Sequence, residues 1–285
     1  MNYGRISDFE DGSIAFFSDT SQTSIMQVGP ITTNDFDIVE GIDISTHQGN
    51  IDWSQIDGGT VQFAYIKASE GDTVVDDQFV ANWTNSKGRV LRGPYHYFHP
   101  RADPNETTKQ TDNFVAVLNR TADIGELPPM VDVETLDGEV GNKKATLTPA
   151  QTIASLTRFL KDVEQAFGKR PLVYTFPWFW EHQMGGTNAF AKDYNLWIAN
   201  YGHERSDGGA DRPDRGPLIP RGWTDFHLWQ FAVLPGVRGI AGLVDRNTAF
   251  VPIGTDLSQF LTRPIVDSLR RAHDGRSSMN RQGFL

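Results

Sequence analysis

From residue 41 onward, short apolar runs rich in β-branched and aromatic residues recur along the chain, separated by turn residues or by helical periodicity. Eight such runs stand out: Gly41–Ser45, Phe63–Ser69, Gly93–Phe98, Pro129–Glu134, Pro171–Thr175, Leu196–Asn200, Phe226–Phe231 and Gly242–Asp245. Their lengths predict strands, and eight strands predict a barrel. The clearest helix is predicted over Pro149–Phe167, where Ile153, Leu156, Phe159, Leu160, Val163 and Phe167 form one apolar stripe at intervals of three and four. Thr148 and Gln151 have capping-box spacing, Pro149 suits the first helical position and Gly168 closes the end. Weaker helical patterns around Asp77–Ser86 and Thr107–Leu118 each lie between two strands, so the alternation predicts parallel β/α units.

The later strands are joined by segments with little helical periodicity, including a stretch from Gly202 to Gly222 rich in Gly, Pro, Asp and Arg. That stretch is either a rim loop over a binding site or a mobile segment. The expected fold is therefore α/β: an irregular TIM-like β/α barrel with eight strands and fewer helices, plus a short N-terminal extension. Residues 1–38 match nothing in the barrel series, although Ser13–Phe17 and Ser24–Val28 are apolar patches that fit an appended hairpin or docking segment. The barrel is assigned to residues 39–262, and the polar residues 263–285 to a C-terminal tail.

Charge and composition narrow the partners. A formal charge of -10 gives no basic field for nucleic acid or anionic lipid, so neither is expected to bind. Affinity for an acidic polymer has to come from a shaped groove. There is no cysteine, hence no disulfide, thiolate nucleophile or thiolate metal site. The acidic N-terminus lacks the basic start and apolar run of a secretory signal, and no apolar stretch is long enough to span a membrane.

Asp132 and Glu134, in Met-Val-Asp-Val-Glu, are the residues that point to chemistry. Residues two apart on a strand share a face, and barrel active sites sit at the C-terminal strand ends. Two neighbouring carboxylates cannot both ionise easily, so one is left able to donate a proton at neutral pH. An Asp-x-Glu alone is more often a strand end entering a polar loop, but the preceding Leu-Pro-Pro-Met-Val makes this strand apolar, where unpaired charge is costly. Other strand ends add Asp43, Glu70, Tyr95, Tyr97, Tyr174, Trp197 and Asp245 to the same rim. Acids suit hydroxyl recognition and aromatic faces suit sugar rings. The histidines show no metal-site spacing, and no serine-hydrolase, phosphate-loop or His-Glu-x-x-His motif occurs, so neither metal nor cofactor is expected.

In order and spacing, the segments Gly-Ile-Asp-Ile-Ser-Thr-His-Gln-Gly-Asn-Ile-Asp-Trp (41–53), Ile-Lys-Ala-Ser-Glu-Gly (66–71), Gly-Pro-Tyr-His-Tyr (93–97), Val-Asp-Val-Glu (131–134), Leu-Trp-Ile-Ala-Asn-Tyr (196–201), Trp-Gln-Phe (229–231) and Val-Asp-Arg-Asn (244–247) resemble glycoside hydrolase family 25, the Chalaropsis-type lysozymes of phages, bacteria and fungi. The resemblance implies hydrolysis of the β-1,4 bond between N-acetylmuramic acid and N-acetylglucosamine in bacterial peptidoglycan. It implies Glu134 as general acid and Asp132 as a helper, acting through the substrate's N-acetyl group. Asp43 and Asp245 look like the family's other active-site acids, with Lys67, Glu70, Tyr95, Tyr97, Tyr174 and Trp197 as groove residues. Inversion by an activated water stays open beside the substrate-assisted route. The expected setting is cell-wall lysis by a phage. The chain would be made in the host cytoplasm and freed by a holin-type pore, or carried in a virion where residues 1–38 dock onto other virion proteins. The competing reading is a non-catalytic wall-binding or structural virion protein.

Overall fold

The computed structural model describes residues 26–27, 36–140, 143–201 and 216–262. Most of the 1–38 extension, the greater part of the 202–222 stretch and the 263–285 tail lie outside the described residues. Within them, the eight predicted strands form a closed barrel: β1 (Phe36–Ile44), β2 (Phe63–Glu70), β3 (Leu91–Tyr97), β4 (Met130–Asp132), β5 (Leu172–Thr175), β6 (Asn195–Ala199), β7 (Leu228–Leu234) and β8 (Val244–Pro252). Closure comes from β1, which pairs with both β2 and β8.

Among the described residues, five α-helices accompany them: α1 (Phe79–Asn85), α2 (Thr108–Leu118), α3 (Pro149–Phe167), α4 (Pro177–His182) and α5 (Leu257–Thr262). The capping box and left-handed Gly168 predicted for α3 are both present, and Leu156, Phe159, Leu160, Val163 and Phe167 are buried on one face. Deleting one of these large side chains would cost about 2–5 kcal/mol.

Seven strands run parallel, as the alternation predicts, but β8 is antiparallel to both neighbours. Residues 235–243 link β7 to β8 without a helix, too short a path for the crossover that a parallel return needs. Within this link Gly239 has φ +87 and its carbonyl accepts from Asp52 N at 2.8 Å, which pins the turn. The strand expected at 242–245 therefore begins at Val244 and runs on to Pro252. Its long pairing also lengthens β1, because Phe36 lies opposite Pro252, so the barrel starts three residues before the boundary expected at residue 39. Met26 and Gln27, from one apolar patch of the extension, pair antiparallel with Ile219 and Leu218.

Aromatic side chains fill the barrel. Tyr65 and Trp197 are wholly buried with ring centroids 4.7 Å apart, and Tyr174 meets Trp197 edge-on at 5.6 Å. Glycines make room for them: a Cβ on Gly41 would strike the Phe63 ring, and one on Gly93 the Tyr65 ring. With the interior packed, the free space lies at the mouth.

Candidate active site

The C-terminal ends of the parallel strands surround a cleft of about 460 Å³ lined by residues that include Asp43, Lys67, Tyr95, Tyr97, Asp132, Glu134, Tyr174, Tyr201, Gln230 and Asp245. Asp245 opens β8 rather than closing it. Since that strand is antiparallel, its start lies at the same rim, and Asp245 stands opposite Asp43 in register.

β4 places the central pair. Asp132 aligns with Tyr97 of β3 and Tyr174 of β5. Beyond the strand, Val133 N still donates to the Tyr174 carbonyl at 2.9 Å, which keeps the backbone extended and leaves Glu134 on the face of Asp132. Asp132 is buried, and its Oδ1 has no hydrogen-bond partner. Glu134 is half-buried at the cleft surface. Burial pushes Glu134 up to about 7, against the lowering influence of the Lys67 ammonium and a hydrogen bond from the Tyr97 hydroxyl. Burial, reinforced by the neighbouring Glu134 charge, raises Asp132 well above the usual carboxylate range. Together they retain at neutral pH a proton that ordinary carboxylates would have lost.

Asp43 is held differently. Its Oδ2 accepts from Asn247 Nδ2 at 2.7 Å and from Gln230 Nε2 at 2.9 Å. Burial raises it to about 6, and those two bonds limit the rise. Gln230 Oε1 in turn accepts from the Tyr174 and Tyr201 hydroxyls, both at 2.9 Å. Burial and then the Asp43 charge raise Asp245 well above its ordinary value. Among the described residues, Lys67 is the one lysine or arginine that lines this cleft.

Eight of the ten expected site residues thus meet at the cleft, and two do not. Trp197 is wholly buried below it, donating from Nε1 to Asn247 Oδ1 at 3.1 Å. It belongs to the same lateral row as Asp132 and Tyr174, but the stagger of the strands carries that row down into the barrel. Glu70 turns away from the cleft lining to bond Lys67 at 2.8 Å and His99 at 3.0 Å. The residues the sequence reading passed over are the neutral ones: Gln230, Asn247 and Tyr201. Gln230 had a signal, as a lone amide between Trp229 and Phe231 in an apolar strand; a buried amide needs partners.

Comparison with known proteins gives the class. Residues 42–240 match the model of glycosyl hydrolases family 25, and the chain belongs to that family; it is a glycoside hydrolase of the lysozyme type. Lysozyme M1 of Streptomyces globisporus is 30% identical over 226 residues, covering 77% of this chain and 69% of that protein. The N,O-diacetylmuramidase of Chalaropsis sp is 30% identical over 201 residues, covering 67% of this chain and 87% of the relative. Among solved structures, the bacterial lysozyme of Streptomyces coelicolor superposes with a TM-score of 0.60 at 28% identity, covering 79% of this chain and 96% of that one.

Proposed function

We propose that this lysozyme cleaves the β-1,4 bond between N-acetylmuramic acid and N-acetylglucosamine in bacterial peptidoglycan, with Glu134 as general acid. The observation that carries the assignment is the Asp132–Glu134 pair: burial and repulsion keep a proton on it near neutral pH, and Glu134 is its member at the cleft surface. A proton held there can pass to the leaving glycosidic oxygen as the bond breaks. With that proton on Glu134, repulsion is relieved and Asp132 can carry the charge, accepting the N–H of the substrate's acetamido group while its oxygen attacks the anomeric carbon. Adjacent carboxylates on one strand do not straddle a sugar as acid and nucleophile, which favours this substrate-assisted route.

Glu134→Gln on purified peptidoglycan, with mass analysis of new reducing ends, tests the reading. Expected are muramic acid ends from the wild type and a loss of at least about a hundredfold in the variant. N-acetylglucosamine ends, or undiminished turnover, would sink it. Retention of configuration in early NMR spectra is expected; inversion would replace the acetamido route by a single displacement by water. The proposed setting is phage-driven wall lysis, and proteomics of purified particles separates a virion component from a released lysin.

A further inference from the structure

Lys67 reaches the cleft as one end of a chain of charges that begins outside it. Its Nζ donates to Glu70 Oε2 at 2.8 Å, and Glu70 Oε1 faces His99 Nε2 at 3.0 Å. His99 Nδ1 lies 3.3 Å from the backbone carbonyl of Asp137, at the start of the Asp137–Val140 strand that follows Glu134. A carboxylate oxygen and a carbonyl oxygen only accept, so the imidazolium satisfies both contacts and the neutral ring only one. The His99 ring packs against Tyr97, with centroids 5.2 Å apart, and Lys67 Nζ sits 5.3 Å from the Tyr97 ring centre. Tyr97 lines the cleft beside Glu134 and helps to limit the rise of that acid. Neither His99 nor Glu70 lines the cleft, yet two paths run from His99 to Glu134, one through Glu70 and Lys67, the other through Tyr97.

Resting on the reading of Glu134 as the acid, we propose that His99 is a positioning residue: by sharing Glu70 with Lys67 it holds the Lys67 ammonium toward the Asp132–Glu134 pair and leaves the trio with a net positive charge. Without the second cation, Glu70 neutralises Lys67 and draws its Nζ away, so the acid pair loses the one charge that opposes its protonation. The hydrogen bond from His99 is the foremost cause that holds Glu70 below its ordinary value, at about 2, with Lys67 adding to it. The titratable groups around His99 are Glu70 and Lys67 from β2, Tyr97 and the buried His96 from β3, Asp137, whose carboxylate is engaged by Thr146 Oγ1 at 2.9 Å, and the Asp72–Arg101 ion pair, closed at 2.8 Å, beside Gly71. Of the cations among them, Lys67 is the one bonded to Glu70, while Arg101 is engaged by Asp72.

The test measures the pH dependence of kcat/KM on peptidoglycan, together with a carboxyl-carbon NMR titration of Glu134, in wild type, His99→Gln, His99→Arg and Glu70→Gln. His99→Gln keeps an N–H for Glu70 but carries no charge. It is expected to move the basic limb and the Glu134 titration upward by about half a pH unit. His99→Arg should restore both, and Glu70→Gln, which frees Lys67 from its counter-charge, should move them down. A His99→Gln protein that melts earlier or turns over more slowly with an unmoved titration overturns the proposal and makes His99 a structural pin. Wild-type turnover in Glu134→Gln would instead defeat the assignment of the acid, while the NMR titration still reports whether His99 acts on Glu134.

Discussion

At the floor of the barrel, Arg92 is wholly buried and met on every side: Glu126 accepts from Nη2 and Nε at 2.8 and 3.1 Å, Asp123 from Nη2 at 2.8 Å and the Trp83 carbonyl from Nη1 at 2.9 Å. Its guanidinium also lies 4.8 Å from the Trp83 ring centre. Burial alone would raise Glu126, yet the Arg92 bonds hold it below the usual carboxylate range. At the mouth, four acids line the cleft with Lys67 as the one lysine or arginine among the described lining residues, one buried carboxylate oxygen of Asp132 has no partner, and the acids are raised instead of lowered. Compensated charge at the floor ties β3 to α1 and to the 123–126 segment. Uncompensated like charge at the mouth costs stability and stores a usable proton.

The largest break in this comparison is expected from Arg92→Met. It removes a buried guanidinium and its four hydrogen bonds, leaving Asp123 to Lys87 and Glu126 partly exposed, and should cost about 2–3 kcal/mol in denaturant unfolding. The fraction that stays folded should keep wild-type kcat/KM, since Arg92 does not line the cleft.

Asp132→Asn should do the reverse, raising stability by about 1–2 kcal/mol while activity falls, because it removes a buried acid whose ionisation is penalised by burial and by Glu134. The same contrast has a pH signature. Asp43 is raised from 3.8 to about 6 and Glu134 from 4.5 to about 7, so in that window the native state holds protons that the unfolded chain has released. Stability contributed by the mouth is therefore full below the unfolded values and falls as pH rises from about 4 to 7. The lowered floor carboxylates Glu126 and Asp123 work the other way, stabilising above their unfolded values and losing that contribution as pH falls through acid. Melting temperatures from pH 4 to 8 should decline through the upper window in wild type and decline less in Asp132→Asn. An equal slope in both would mean that Asp132 has no part in the decline, and a flat wild-type profile that the mouth acids titrate as ordinary surface groups.

Period and spacing made much of this legible from sequence. The strands carry apolar runs, α3 carries its caps, and the acids stand at strand ends, where rim chemistry belongs. What stayed hidden depends on distances across the sheet. The antiparallel course of β8 follows from how short residues 235–243 are, which an apolar run does not reveal. Trp197 reads as a rim aromatic because it lies on a predicted strand, as Tyr174 does, and only the stagger between strands puts it in the core. Glu70 reads as a groove acid until His99, far along the chain, is seen to claim half of it. Gln230 and Asn247 carry no charge to draw attention, yet they hold Asp43.

Trp197→Phe probes the layer between mouth and floor and should have the smallest effect. The indole N–H donates to Asn247 Oδ1, which fixes the amide so that Nδ2 points at Asp43. Phenylalanine keeps ring contacts with Tyr65 and Tyr174 but offers no donor, so the amide can turn and set its oxygen against the Asp43 carboxylate. Losing one such bond should cost about 1 kcal/mol in thermal melts, and a misaligned Asp43 should lower kcat/KM by about threefold to tenfold. The Asp43 carboxyl should also titrate higher than in wild type, since a hydrogen bond that limits its rise is weakened. A loss approaching the hundredfold expected of Glu134→Gln would erase the distinction drawn between groups that face the substrate and those that hold them from beneath.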